Sequence, residues 1–516
     1  MSGFATPSPP RPGRALVFIG FMGAGKSSAA REAATALGVR AIDVDKLVEQ
    51  RLGMTIEDAF AKLGEARFRE EEERATVETL EAAGAGDVVS LGGGAVLSEL
   101  TRAALARHTT VLVDIDLPTA WSRAHGRGRP LARDRAAFNR RYVEREPIYR
   151  GIADAIIPGR ERGTARRALP WLTTLPDGAR MLWANARSGS YPVLVGRPAL
   201  TVDPWPAAGR RFLVTDTAVG PRHASRLYPV QAEIAIPPGE EHKTLGTVET
   251  IARKLARAGA AGDDHVIALG GGVVGDVAGF VASTYQRGVP VVQVPTTLVA
   301  QVDSAYGGKT GVDLPEGKNY VGAYHQPAGV LVDVHLLETL PPEELAAGRA
   351  EVIKTALIAG GRLWERVAGG HFEDEETVLD CARTKLAVVA ADERDSGRRQ
   401  VLNLGHTVGH ALETATGYGT LRHGEAVGLG LLAALRLSEQ DDLRSEVGAL
   451  LARAGLPTAL PMTVDVDAVL GALKRDKKRR AGRVPFVLVG SVGDVREGQP
   501  VDEAAVRAAV AELQPR

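Results

Sequence analysis

Short apolar runs alternate with longer mixed stretches over the first third of the chain. Ala15–Ile19 reads as a short strand, and Ser27–Leu37 has helical composition. Strand-like runs recur at Ala41–Val44, Asp87–Leu91 and Thr110–Ile115, with helical stretches between them. Strands alternating with helices predict a parallel sheet with helices on both faces. The pattern stops near Ile157. From Pro158 to about Ser188 the chain is rich in Arg, Gly, Pro and Thr, with one short helical stretch around Trp171, and reads as a linker. YPVLVG from Tyr191, then Arg211–Thr215 and Val266–Leu269, open a second strand-bearing unit. Beyond Pro341, Ala/Leu/Glu-rich stretches run to Ala454, broken mainly by glycines, and predict an all-α subdomain. The expected fold class is α/β. Its parts are a tail (1–13), a parallel-sheet unit (14–160), a linker (161–189), a second α/β subdomain (190–340) and an α-helical subdomain (341–516). The halves are not copies of each other.

Composition narrows the function. At 516 residues the chain exceeds one ordinary core, and a prior of roughly 100–200 residues per domain suggests about three units. Lys+Arg 63 balances Asp+Glu 63, so no global charge attracts nucleic acid or an anionic membrane. A single cysteine, Cys381, excludes an internal disulfide framework and fits a reducing compartment. It reads as a small buried helix residue. The N-terminus, MSGFATPSPPRPGR, has no apolar core of a signal peptide and reads as a Pro-rich disordered tail. Val266–Ser283 is apolar but carries Asp276 in a strand-turn-helix order, which argues against a membrane span. These features predict a cytoplasmic protein that handles small molecules, with neither nucleic acid nor membrane as partner.

The first half carries GFMGAGKS at residues 20–27. This spacing, after a strand and before a helix, lets backbone N–H groups at Gly20, Gly23 and Gly25 curl around phosphates. Lys26 can then reach the transferred phosphate and Ser27 can ligate Mg²⁺. Asp43 and Asp45 close the next strand, at the sheet edge where open α/β folds bind ligands. Downstream follow GEARFRE (64–70), LGGGAV (91–96), GRPLA (128–132) and REPIY (145–149). Together these resemble the shikimate kinase family, over essentially all of residues 14–160. The resemblance implies ATP contacts at Gly23, Ala24, Gly25, Lys26, Ser27 and Ser28, with Asp43 helping Ser27 hold Mg²⁺. It implies Asp45 as the group that binds the shikimate hydroxyls and assists as base. Arg69 and Arg145 would clamp the carboxylate, for which a bidentate guanidinium is suited. Gly92, Gly93 and Gly94 would let the backbone approach the ring, and Arg129, on a lid, would stabilise the phosphoryl group in flight. Ala132 departs from the family's leucine.

The second half carries GGGVVGD (270–276) after the run HVIAL, which alone is a weak dinucleotide signature. PGEEHKT (238–244), YQRG (285–288), VPTTLVAQVDSAYGGKTGV (294–312) and GKNYVGAYHQP (317–327) follow in order and strengthen it. Glu351 in RAEVIK, His406 in LNLGHTVGH and His423 before GEAV offer two imidazoles and a carboxylate, a donor set for Zn²⁺ with a position left open. His410 shares a helical face with His406. These motifs resemble the 3-dehydroquinate synthase family from about Tyr191 to the C-terminus. That implies conversion of 3-deoxy-D-arabino-heptulosonate 7-phosphate to 3-dehydroquinate and phosphate, with catalytic NAD⁺ and Zn²⁺ or Co²⁺. Arg287, Lys309, Lys318 and Lys354 could bind phosphate and carboxylate, with Asn319, Asn403 and His410 as hydrogen-bonding partners. By resemblance Asp303, Lys385, Arg399, Lys477 and Lys478 also contact substrate, and Asp395 stands with Lys309, Lys354, His410 and Arg399 in the catalytic set. NAD⁺ would be held by Glu240, Lys243, Gly271, Gly272, Val273, Val274, Gly275, Asp276, Thr296 and Thr297, with Lys309 and Lys318 nearby. Asp395 stands where the family has Glu, and Arg398 where it has Leu.

The competing reading is a small-acid P-loop kinase fused to a polyol dehydrogenase of the glycerol dehydrogenase type. A polyol carries neither phosphate nor carboxylate, so the lysine and arginine set favours the synthase. The resemblance leaves room for a homodimer through the synthase half. The linker reading predicts that fragments of roughly 1–170 and 185–516 each keep their activity.

Overall fold

The computed structural model describes residues 13–126, 130–417, 420–475 and 484–515. They form two compact units: one of residues up to Asn185 with Tyr191–Trp205, the other of Ala186–Ser190 with Pro206 onward.

In the first unit the strands run in the order Ala41–Asp43, Val88–Ser90, Leu16–Ile19, Thr109–Asp114, Ala155–Pro158 and Arg180–Ala186, every pair parallel. Leu16 to Ile19 are buried on both faces, so this strand reads as a continuous apolar run rather than an alternation. Chain order reverses at Leu16–Ile19, between Val88–Ser90 and Thr109–Asp114, which opens a crevice at the carboxyl ends of these strands. Helix Lys26–Leu37 starts there.

The segment 161–189, expected as a linker, is folded instead. It contains helix Thr164–Thr174, packed on helix Lys26–Leu37, and strand Arg180–Ala186, which pairs with Ala155–Pro158. Ala165, Ala168, Leu169 and Leu172 form the buried stripe of that helix, at spacings of three and four.

The second unit has a parallel sheet in the order Gly329–Val332, Val291–Pro295, His265–Gly270, Arg211–Asp216, Ala232–Ile236. Phe212, Val214, Ile234, Val266 and Ala268 face helix Gly272–Thr284 through Val277, Ala278 and Val281 in one core. The order reverses between Arg211–Asp216 and His265–Gly270, again beside the glycine loop. An antiparallel hairpin, Lys309–Leu314 with Gly317–Tyr324, precedes strand Gly329–Val332, after which come helices Pro342–Ala359, Glu375–Ala391, His406–Ala415 and His423–Leu437. Pro342–Ala359 and His423–Leu437 bury residues all round, as central helices do. The subdomain beyond Pro341 is not all helix: Phe486–Ser491 and Asp494–Gln499 form an antiparallel hairpin.

Candidate active sites

The first unit holds a cavity of about 790 Å³ lined by Gly23 to Ala29, Asp43, Asp45, Arg69, Glu72, Gly93, Gly94, Arg123 and Arg145, among others. Gly20, Gly23 and Gly25 all have positive φ, at 144°, 83° and 99°. A Cβ at Gly20 would fall 2.7 Å from the Val113 carbonyl, and one at Gly23 2.7 Å from that of Ala120. Only glycine can follow that path. Lys26 donates its ammonium to the Phe21 carbonyl at 3.3 Å, folded along the loop it serves. Ser27 Oγ lies 3.4 Å from Ser90 Oγ, and Ser90 stands opposite Asp43 across the strand pair. A hydroxyl and a carboxylate thus share the strand ends, a hard-oxygen set suited to Mg²⁺ beside phosphates.

Across the cavity, Arg69 donates to Glu72 at 2.5 Å and to Glu65 at 3.1 Å. Burial works against the Arg69 charge, but Glu72 and Glu65 outweigh it and raise its pKa. Arg145, 5 % exposed, donates to the Gly93 carbonyl at 3.1 Å, and the Tyr149 hydroxyl donates to the same oxygen at 2.5 Å. A side chain at Gly92 would collide with Glu72 and Asp45, and one at Gly94 with Arg69. Asp45, Arg69, Arg145 and the three glycines therefore converge. Glu72 and Tyr149 join them without having been singled out from the sequence. Burial pushes the Glu72 carboxyl up, against the pull of Arg69. Arg129, expected on the lid, lies outside the described residues.

The second unit holds a larger cavity, about 2250 Å³. His406, His410 and His423 place ligand nitrogens within 4.8 Å of one another. Glu351 Oε1 lies 3.3 Å from His406 Nε2 and 3.5 Å from His423 Nε2. His406 Nδ1 is 3.1 Å from the Leu404 carbonyl, which can only accept, so Nδ1 carries the proton and Nε2 keeps its lone pair. Burial disfavours the Glu351 charge, yet Lys354, His406 and His423 hold its carboxyl well below the usual range. Burial works against a charged His423, but Glu351 and Glu413 raise it to about 9. A carboxylate and two imidazoles converging from three helices fit Zn²⁺ or Co²⁺.

Glycines bring those helices together. A Cβ at Gly424 would overlap the backbone of Ala347, one turn before Glu351. A Cβ at Gly409 would fall 2.9 Å from the Ala426 carbonyl, and one at Gly430 would overlap the Gly405 backbone. Backbone meets backbone at each crossing.

A network of opposite charges surrounds Glu351, His406 and His423. Lys354 Nζ lies 2.5 Å from Glu351 Oε2 and 3.9 Å from Asp303, and Lys385 also pairs with Asp303. Lys309 pairs with Asp395 at 2.5 Å, so the shorter carboxylate at 395 reaches a lysine of the site. Asp395 does so with φ of 58°, a left-handed conformation that Asp tolerates better than most residues. Lys318 pairs with Glu413 at 3.1 Å. Arg399, 1 % exposed, donates to the carbonyls of Glu393 and Gly307. Asn319, Asn403 and His410 line the same cavity. Arg287 does not line it: Gln286 and Arg287, both at positive φ, turn the chain after helix Gly272–Thr284 and leave Arg287 exposed. Lys477 and Lys478 lie outside the described residues.

At the other end of the cavity, Gly271 caps helix Gly272–Thr284, and a Cβ there would fall 2.8 Å from Thr297 Cγ2. Backbone N–H groups at a helix start, stripped of side chains, form a cradle that fits a pyrophosphate. Lys243 Nζ pairs with Asp276 at 2.6 Å and approaches Glu240 at 3.7 Å. Gly272, Val273, Val274, Thr296 and Thr297 line the cavity with them.

The 3-dehydroquinate synthase N-terminal and C-terminal family models match residues 233–347 and 348–479. The 3-dehydroquinate synthase of Pelobacter propionicus is 43% identical over 342 residues, 94% of that protein and 61% of this chain. The chain belongs to the 3-dehydroquinate synthase family. The synthase of Halorhodospira halophila is 44% identical, again with 94% of its length covered. In front of this synthase stands a shikimate kinase domain, whose family model matches residues 22–173. The chain is therefore a bifunctional enzyme of the shikimate pathway. Among solved structures, a 2-deoxy-scyllo-inosose synthase complexed with carbaglucose-6-phosphate, NAD+ and Co2+ is 26% identical with TM-score 0.58. It covers 64% of this chain and 99% of that one. The valiolone synthase ValA of Streptomyces hygroscopicus, with NAD+ and Zn2+ bound, is 27% identical with TM-score 0.58, covering 64% and 98%. The Pelobacter propionicus and Halorhodospira halophila relatives, both above 40% identity over 94% of their length, are 3-dehydroquinate synthases, which sets aside the polyol dehydrogenase alternative. No helix among the described residues is long and apolar enough to cross a membrane.

Proposed function

We propose that the two cavities carry the two activities of these families, each with its own residues. In the first unit, ATP lies on the loop Gly20–Ser27 with Lys26 toward the transferred phosphate, and Ser27 and Asp43 hold Mg²⁺. Arg69 and Arg145 grip the shikimate carboxylate while Asp45 faces the hydroxyls and accepts the proton of the one phosphorylated. The preset pairs Arg69–Glu72 and Arg145–Gly93 keep both guanidinia aimed before substrate arrives, so little orientation is lost on binding.

In the second unit, Glu351, His406 and His423 would hold Zn²⁺ or Co²⁺, and the cradle at Gly271 with Asp276, Lys243 and Thr297 would hold NAD⁺. When bound, the nucleotide supplies reversible hydride transfer and the metal supplies a Lewis acid for the ring oxygens. Lys309, Lys318, Lys385 and Arg399 bind the phosphate and carboxylate of the heptulosonate phosphate, and Asn319 and Asn403 orient its hydroxyls. His410, on the ligand helix yet also lining the cavity, is placed to move protons as phosphate leaves.

The observation that carries this reading is the lysine and arginine set around the metal-type donors. Asp303, Asp395 and Glu413 hold these lysines at the cavity, where an anionic substrate can take them up and a neutral polyol cannot. The test incubates the protein with NAD⁺, Zn²⁺ and the heptulosonate phosphate. Free phosphate without net NADH is expected; stoichiometric NADH from glycerol, with no phosphate release, would overturn it. Formation of ADP that depends on shikimate tests the first unit.

A further inference from the structure

His423 has a carboxylate on each side. Its Nε2 faces Glu351, and its Nδ1 lies 3.7 Å from Glu413 Oε2. Glu413 is on helix His406–Ala415, where spacings of four and three put His406, His410 and Glu413 on one face toward the cavity. Its side chain is only 4 % exposed, and its other oxygen accepts from Lys318 at 3.1 Å. Lys318 stands on the hairpin strand Gly317–Tyr324 beside Asn319. A buried carboxylate with an imidazole 3.7 Å from one oxygen and an ammonium hydrogen-bonded to the other connects two parts of the site.

The two imidazoles among the metal-type donors are thus oriented from behind in different ways. His406 presents Nδ1 to a backbone carbonyl, that of Leu404, which no substitution removes. His423 presents Nδ1 to a side chain instead, that of Glu413. A carboxylate behind a ligand imidazole fixes its tautomer and ring angle and raises its basicity as a donor.

We propose that Glu413 is the positioning residue of His423: it holds the ring by Nδ1 so that Nε2 faces the metal, and its second oxygen holds Lys318 over the same site. The inference rests on the synthase reading above. It ties the strength of metal binding to a residue that touches neither metal nor substrate. It also predicts that the two arms are separable, because each uses its own oxygen.

The full chain is stripped with a chelator and titrated with Zn²⁺ and with Co²⁺ against a competing chelator, and the Co²⁺ visible spectrum is recorded. Glu413→Ala is expected to weaken metal binding by roughly 10–100-fold and to change that spectrum. Glu413→Gln, whose amide oxygen still accepts from Nδ1, recovers part of the affinity. Lys318→Met is expected to bind metal like the wild type while its KM for the heptulosonate phosphate rises. Thermal melting checks that each variant folds, and Glu413→Gln carries the test if Glu413→Ala does not. A folded Glu413 variant with wild-type metal affinity and spectrum overturns the positioning role alone. A wild-type chain that binds neither metal overturns the synthase reading of the site together with it.

Discussion

Arg399 lies directly over Gly307: its Nη2 donates to the Gly307 carbonyl at 3.1 Å, and a Cβ on that glycine would fall 2.7 Å from the same nitrogen. Gly307 also has φ of 80°, and the same Cβ would come within 2.7 Å of Val389 Cγ2. Strain and collision add. Gly307→Ala should cost about 1–3 kcal/mol of stability and displace the arginine from its place in the synthase cavity. Thermal melting and phosphate-release assays check both effects; an unchanged synthase kcat/KM would mean that Arg399 does not act from this position.

Lys26 is the loop's only side chain that can follow the phosphate in flight. Lys26→Met should lower shikimate phosphorylation by roughly 10²-fold or more, since one preorganised charge donor is worth that much. Synthase turnover, measured on the same preparation, should stay at the wild-type rate. Equal loss of both activities would show that the substitution acts through folding.

Helix Thr164–Thr174 changes where the kinase unit can be cut. A fragment ending at 170 would leave out Leu172, which is fully buried, and break the packing against helix Lys26–Leu37. Such a fragment should be poorly soluble or inactive, whereas the intact chain keeps kinase activity. Expression of the 1–170 fragment with a shikimate-dependent ADP assay decides this; full activity would show that the helix is dispensable.

Asp264 anchors the start of strand His265–Gly270, in the middle of the second unit's sheet. It accepts from the Arg210 side chain at 2.7 and 3.1 Å and from the backbone N–H groups of Arg210 and Ala261, both at 2.8 Å. Its hydrogen bonds to the Arg210 side chain, then those from the two N–H groups, lower its carboxyl from 3.8 to about 2. The sign follows. The folded state binds this proton more weakly than the unfolded chain, so the stabilisation is full above pH about 4 and is lost as pH falls through about 2. Asp264→Asn should therefore lower Tm at pH 7, and the gap to wild type should narrow as pH drops below 4. A gap that stays constant down to the acid limit of folding would remove the charge from the account.

Both glycine loops, Asp43 with Asp45, and the set Glu351, His406 and His423 were legible because each needs particular residue types at fixed spacing. Of helix Thr164–Thr174 only the stretch around Trp171 was legible, because Arg166 and Arg167 ahead of it make the start of the segment read as polar loop. The hairpin Phe486–Gln499 was hidden by its length, only two short strands after a long helical run. Glu72 and Glu413 were missed for one shared reason. An acidic residue on a helix is by default a solvated one, and only the tertiary fold reveals that these two are 3 % and 4 % exposed beside arginine and histidine. Arg287 is the reverse case, a motif residue that the turn at Gln286 leaves exposed and outside the cavity lining.

The glycine crossings at Ala347–Gly424, Gly409–Ala426 and Gly405–Gly430 make the three helices that carry Glu351, His406 and His423 behave as a jig. Main-chain atoms in contact set how far apart Glu351, His406 and His423 stand, rather than the rotamers of the apolar residues around them. Repacking those neighbours would shift the melting temperature and leave the spacing of these three side chains intact, while one added methyl group at Gly424 would alter the spacing itself.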